Sequence, residues 1–207
     1  MLKIITMICF LIFATNEAIG QKFDFGLSSR MLVSQVDGDN LTGFRKLGYE
    51  VGVLGGYSFR DRSSLIVRQS FSNIGSKSSG ITVDKDDYVI EFDLFIASLD
   101  LGYSFTLLSD WEEVSLLNLT TGIKFQRIIS NNSILTYNSF REDLPIDINN
   151  LKSWSQSVFI GISKRISKRF LANLEYNQGL TDLNNDEDLF SKKLKPYYFS
   201  FGLQFDL

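Results

Sequence analysis

Hydrophobic and polar residues alternate with a period of two along most of the chain after residue 20, which is the side-chain period of a β-strand. The final stretch shows it most plainly: Tyr197, Phe199, Phe201, Leu203, Phe205 and Leu207 share one face, opposite Tyr198, Ser200, Gly202, Gln204 and Asp206. Phe170, Ala172, Leu174 and Tyr176 likewise oppose Asn173, Glu175 and Asn177. Further upstream, Trp154, Val158, Ile160 and Ile162 face away from Ser155, Ser157, Gly161 and Ser163. Leu117, Leu119, Ile123 and Phe125 face away from Asn118, Thr120, Gly122, Lys124 and Gln126. The pattern recurs in 23–33, 49–60 and 64–72. Segment 87–106 departs from it. Tyr88, Ile90, Phe92, Leu94 and Ile96 keep one phase, then Leu99, Leu101, Tyr103 and Phe105 keep the other, so a β-bulge is expected near Ala97-Ser98. Eight strands are predicted in all.

Alternation alone fits a soluble sandwich, a lipocalin-like barrel or a membrane barrel, and the composition of the two faces separates them. The polar face is small and charged, carrying Gly, Ser and Asn with Asp24, Arg30, Glu50, Arg68, Lys124 and Glu175, as the lumen of a small membrane barrel does. The apolar face is rich in aromatics near strand ends, where an interfacial girdle needs them. The connectors, near 34–47, 60–63, 73–86, 107–113, 128–152, 165–168 and 178–195, alternate long and short. Outer-membrane barrels have this asymmetry, with short periplasmic turns and long extracellular loops. The predicted fold is therefore all-β: an eight-stranded antiparallel up-and-down transmembrane β-barrel.

Residues 1–20 read as a cleaved signal peptide. Lys3 precedes the apolar run Ile4–Ala14, and Ala18-Ile19-Gly20 places small residues at −3 and −1 before Gln21. The run is too short to cross a bilayer of about 30 Å as a helix. The barrel domain then spans 21–207, and the chain's one Cys, Cys9, leaves with the signal.

Composition narrows the chemistry. The 207 residues include no His, which removes Ser-His and Cys-His nucleophilic pairs, His-ligated zinc and imidazole bases. Lipid hydrolases built on small barrels use Ser with His, so the chain is expected not to be an enzyme, and no cofactor is expected. A net charge of −3 gives no indication of a nucleic-acid partner. The 18 Phe fit a lipid-facing surface.

Ser200-Phe-Gly-Leu-Gln-Phe-Asp-Leu207 resembles the carboxy-terminal β-signal of bacterial outer-membrane proteins, with Ser200, Gly202, Phe205 and Leu207 in its roles. Leu174–Leu183, Gly102-Tyr-Ser-Phe105 and Gly202-Leu-Gln-Phe205 resemble strands of the Bacteroidetes porin-like outer-membrane barrel family, the PorT family. The resemblance implies export to a Gram-negative outer membrane, insertion by the barrel-assembly machinery, and a structural or surface-interaction role accessory to secretion. Contact with outer-membrane lipid and with an extracellular or periplasmic protein is the corresponding partner expectation. The alternatives are a narrow channel or small-ligand-binding barrel, and a soluble secreted lipocalin-like binder.

Two residue sets stand out as candidate sites. Arg30, Glu50, Arg68, Glu91, Asp93, Lys124 and Glu175 are expected to point into the lumen and pair across it. Asp182, Asn184, Asp186 and Asp188 set oxygen ligands at alternate positions, as calcium loops do. Glu187 stands where an EF-hand loop needs Gly, and Lys193 where it needs Glu, so a solvated loop is the simpler expectation. The connector 128–152, with Ile134, Leu135, Tyr137 and Phe140, is expected to extend the barrel as a hairpin or to meet a partner.

Overall fold

In the computed structural model, residues 23–37, 43–78, 81–83, 86–109, 115–137, 140–144, 151–184 and 193–207 are described. Ten strands are found among them: β1 (Phe23–Asp37), β2 (Lys46–Arg60), β3 (Ser63–Lys77), β4 (Ile81–Val83), β5 (Asp86–Ser109), β6 (Ser115–Tyr137), β7 (Phe140–Leu144), β8 (Trp154–Arg165), β9 (Phe170–Gly179) and β10 (Lys195–Asp206). Eight of these form the wall, each antiparallel to the next in chain order, and β10 pairs with β1 to close it. The two short strands add to the long-loop ends, extracellular in the orientation predicted from the connectors: β4 pairs with the start of β5, and β7 folds back on β6 as a hairpin with Tyr137 opposite Phe140. Closure leaves the barrel wall without an edge strand, so every stave satisfies its backbone against two neighbours.

The outward phase is apolar and exposed. Met31, Val51, Val67, Leu101, Ile123, Ile160, Leu174 and Phe201 all lie on this surface. A face of this size and composition in water would drive aggregation, whereas in a bilayer it is the wall's ordinary contact with lipid. Aromatic rings mark its two borders. At the periplasmic end Phe23 packs on Tyr57, Phe59 on Tyr103 and Phe170 on Phe205. At the extracellular end Phe44 meets Tyr197 and Phe199, and Tyr176 meets Phe199. From Tyr197 to Phe205 the strand rises roughly 26 Å at about 3.3 Å per residue, or about 20 Å along the axis at a ~40° tilt, a good part of the ~25 Å apolar band of such barrels.

The phase change in 87–106 has a different cause from the expected bulge. β3 and β5 pair without interruption from Ser63↔Phe105 to Lys77↔Glu91, so the strand is regular at Ala97-Ser98. The register shift falls on β6, where Phe95↔Ser130 is followed by Ile96↔Ile128 and Ile129 is the extra residue. Leu94 and Ile96 are buried in the interior on the same phase as Ser98 and Asp100. The alternation is unbroken, but the barrel's inside turns from polar to apolar as the strand passes the extracellular girdle.

Interior space is tight enough for one aromatic to need glycines beside it. Phe159, on the inward face of β8, is buried against the neighbouring wall. A Cβ on Gly122 would lie 2.7 Å from the Phe159 ring and 2.2 Å from the Leu101 carbonyl oxygen, and one on Gly102 would lie 3.0 Å from the same ring. A backbone oxygen cannot yield as a side chain can. Gly122→Val is therefore expected to prevent closure, and the heat-modifiable band of a folded barrel should be absent when refolded variant is run unboiled on a gel.

Candidate functional site

The wall directs three kinds of residue inward, at three heights. The middle layer is charged. Alternation brings Arg30 from β1, Glu50 from β2, Arg68 from β3, Asp100 from β5, Lys124 from β6 and Glu175 from β9 to one level, all buried. Arg68 reaches across the barrel: its Nη2 donates to Glu175 Oε1 at 2.9 Å and Oε2 at 3.0 Å, and its Nε donates to Asp100 Oδ2 at 2.6 Å. β3 and β9 stand on opposite sides of the ring, so this contact spans the full diameter. Arg30 Nη1 lies 3.3 Å from Glu50 Oε1 and 3.0 Å from Glu175 Oε2. Lys124 Nζ donates to Glu50 Oε2 and to the Tyr198 hydroxyl, each at 3.0 Å, with Asp100 Oδ2 at 3.5 Å. The arginine also stacks over Phe159, its Cζ 5.4 Å from the ring centroid.

Three cations meet three carboxylates here, so the layer is neutral as a whole. That balance allows six charges to share one buried level: Coulomb attraction at short range offsets the several kcal/mol that desolvating each ion costs. An eight-stranded barrel has room for its side chains and little more, and this set fills the bore.

Above it lies an apolar layer. Leu32, Val36, Ile74, Phe92, Leu94, Ile96, Ile128 and Tyr198 point in from the staves, and Leu151, Leu183 and Leu194 enter from the loops. The loops are held over the mouth by backbone hydrogen bonds, Lys152 N to Leu183 O and Leu183 N to Leu194 O, both 2.8 Å, with Leu151 bridged to Asn184. Below the charges the lumen opens toward the short turns. A cavity of about 340 Å³ lies at that mouth, lined among others by Asp24, Ser58, Ser104, Arg165, Gln204 and Asp206. A smaller one of about 80 Å³ continues inward to Arg30, Arg68 and Glu175.

Solved structures share this architecture. Neisserial surface protein A superposes with a TM-score of 0.54 at 12% identity, covering 87% of this chain and 96% of that one. The attachment invasion locus protein of Yersinia pestis gives 0.48 at 13% identity, covering 90% and 99%. No family model and no curated protein matches the chain. The fold is that of an eight-stranded outer-membrane barrel. At 12% identity the likeness is one of fold alone.

In this barrel not every residue of the expected lumen set comes together. Arg30, Glu50, Arg68, Lys124 and Glu175 do; Glu91 and Asp93 stand apart from them. These two continue the phase of Phe95 and Leu99, near the extracellular end of β5, where Lys46 pairs with both and Lys77 Nζ lies 3.2 Å from Glu91. Asn73 Nδ2 donates to Asp93 at 3.2 Å. Partial burial pushes the Glu91 carboxyl up, but the two ammonium groups outweigh it and hold it below the usual carboxylate range. The unbroken alternation explains the error: with the bulge removed, 91 and 93 fall on the outward phase. It also supplies the missing member. Asp100, between Leu99 and Leu101, is the charged residue of β5 that faces the lumen.

The β-signal residues sit on the seam. Gly202 pairs with Arg30, and a Cβ there would come within 3.0 Å of the Arg30 Cγ, so the glycine makes room for the arginine stem. Ser200 is buried inward, Phe205 joins the periplasmic aromatic border, and Leu207 N donates to Phe25 O at 2.9 Å. In the acidic loop, Asp182 Oδ1 accepts from the amides of Asn184 at 3.0 Å and Leu194 at 2.9 Å, which shapes the chain. Asp186 and Asp188 lie outside the described residues, as do residues 1–22 with the expected signal and the side chains of Ile134, Leu135, Tyr137 and Phe140.

Proposed function

We propose that the protein is a non-conducting outer-membrane barrel, exported by a cleaved signal over residues 1–20, whose role is structural or interactive at the cell surface. The observation that carries this reading is the doubly occluded lumen: a neutral charge layer spans the bore and an apolar layer with its loops covers it. A channel needs a continuous polar path, and this interior ends blind. Loops of varied composition on a rigid wall are the part left to meet partners. The accessory role in secretion and the membership in the PorT family that its strand motifs imply belong to this proposal, as do insertion by the barrel-assembly machinery and the absence of an enzymatic activity.

Purified barrel in planar bilayers should give no large, steady conductance; a stable open level would overturn the reading. Fractionation should recover the chain with outer membranes, extractable only by detergent, and recovery in the soluble periplasm would favour the lipocalin-like alternative. One-sided access gives a finer check. With Cys9 removed with the signal, Ser104→Cys on the lower cavity should react with a small thiol reagent, whereas Gln126→Cys, fully buried beside the charges, should stay unlabelled.

The lower cavity favours a second reading, a small polar ligand taken from the periplasmic side. Asn173 lines its inner end with neither polar side-chain atom partnered among the described residues. Calorimetric titration with simple sugars and amino acids at millimolar concentration would reveal such binding, and flat titrations would remove it.

A further inference from the structure

The turn between β8 and β9 combines features that a solvated turn does not need. Ile166 is 62% exposed at the tip, continuing the lipid-facing column Val158, Ile160, Ile162. Lys164 interrupts that column just before the turn, opposite the small Ala172 of β9, and Lys168 and Arg169 follow Ile166 within it. All three cations are exposed, and among the described residues none has a carboxylate within ion-pair distance. Arg165 is spent differently. Its Nη1 donates to the Lys168 carbonyl oxygen at 2.8 Å and its Nη2 lies 3.2 Å from Asp206, so it braces the turn from within. The amides of Ile166 and Ser167 both donate to Phe170 O, at 2.8 and 3.2 Å, and Asp206 N donates to Arg169 O at 2.8 Å. The backbone is thus fixed, and the Phe170–Phe205 aromatic pair stands beside it at the periplasmic border.

We propose that this turn is a binding site for the headgroup of an anionic phospholipid in the inner leaflet. The inference rests on the outer-membrane reading, which puts this end of the barrel at the level of phospholipid phosphates. Ile166 would seat among the upper acyl carbons while Lys164, Lys168 and Arg169 surround the phosphate, an arrangement in which both the apolar tip and the exposed cations find partners. Charge complementarity selects an anionic lipid over a zwitterionic one. Each basic residue near an anionic surface strengthens binding about fivefold, so the three together give roughly 100-fold.

The test is native mass spectrometry of the refolded, detergent-solubilised barrel with phosphatidylglycerol or phosphatidylcholine. Wild type should retain phosphatidylglycerol in preference to phosphatidylcholine, and K164Q/K168Q/R169Q should lose that preference by roughly 100-fold. Ile166→Asn, which keeps the charges, should weaken retention of both lipids. Lys193→Gln at the extracellular end should leave retention unchanged. Heat-modifiable migration of each variant establishes that it is folded, and membrane fractionation in cells tests the outer-membrane reading separately. Equal retention by wild type and the triple variant would overturn the proposal. A photoreactive group at position 166 that captures protein rather than lipid in cells would also overturn it, in favour of an acidic periplasmic partner.

Discussion

Lys124→Met should cost the barrel about 3–5 kcal/mol, the penalty for leaving buried charge without its counterion. Lys124 and Glu50 are both fully buried, and the ammonium serves Glu50, Tyr198 and Asp100 together. Without it the middle layer holds two cations against three carboxylates, all of them buried. Urea unfolding in lipid vesicles, followed by the loss of the heat-modifiable form, gives the measurement. The double variant K124M/E50Q restores the balance and should recover most of the loss; if it is additive instead, the two side chains are not energetically coupled. Mild destabilisation of K124M alone would mean that water reaches the layer freely.

Phe201→Arg should be destabilising by about 2–4 kcal/mol in a bilayer, the cost of a cation on the lipid face near mid-membrane. Phe201 lies midway between the two aromatic borders, flanked by Met31 and Leu174 on the neighbouring strands. The same change at Leu207, beside the interface, should cost about 0–1 kcal/mol. This depth dependence is specific to a membrane wall. On a soluble barrel, an exposed Phe exchanged for Arg would be neutral or favourable for solubility at either position. Equal unfolding midpoints for the two variants would therefore contradict the bilayer placement.

The wall was legible because its signal is local. Period-two alternation and the long-short connectors depend on neighbouring residues, and they place the eight staves and the face of Arg30, Glu50, Arg68, Lys124 and Glu175 directly. Segment 87–106 is misleading because polarity there is a poor proxy for direction. That holds where the lumen is polar, at Ser98 and Asp100, and fails where it is apolar, at Leu94 and Ile96. A strand crossing from one to the other looks like a phase slip when it is regular. The same proxy points Glu91 and Asp93 inward, whereas Lys46 is their common partner outside the central layer. No local pattern could have shown that Leu151, Leu183 and Leu194, from loops with separate positions in the chain, converge on one layer. That is a tertiary fact, and only a long-range pairing such as Leu183 with Leu194 and Lys152 makes it visible.

The three loop leucines also impose an order on assembly. They belong to the β6–β8 and β9–β10 connections, and they can dock only once the staves bearing Leu32, Ile74 and Leu94 stand around them. The mouth can therefore seal only after the staves around it are in place, since loop-closure entropy is spent before such contacts can reward it. Until then the six charges below can be satisfied by water as they find their partners, and sealing the mouth traps a finished network instead of an unpaired ion.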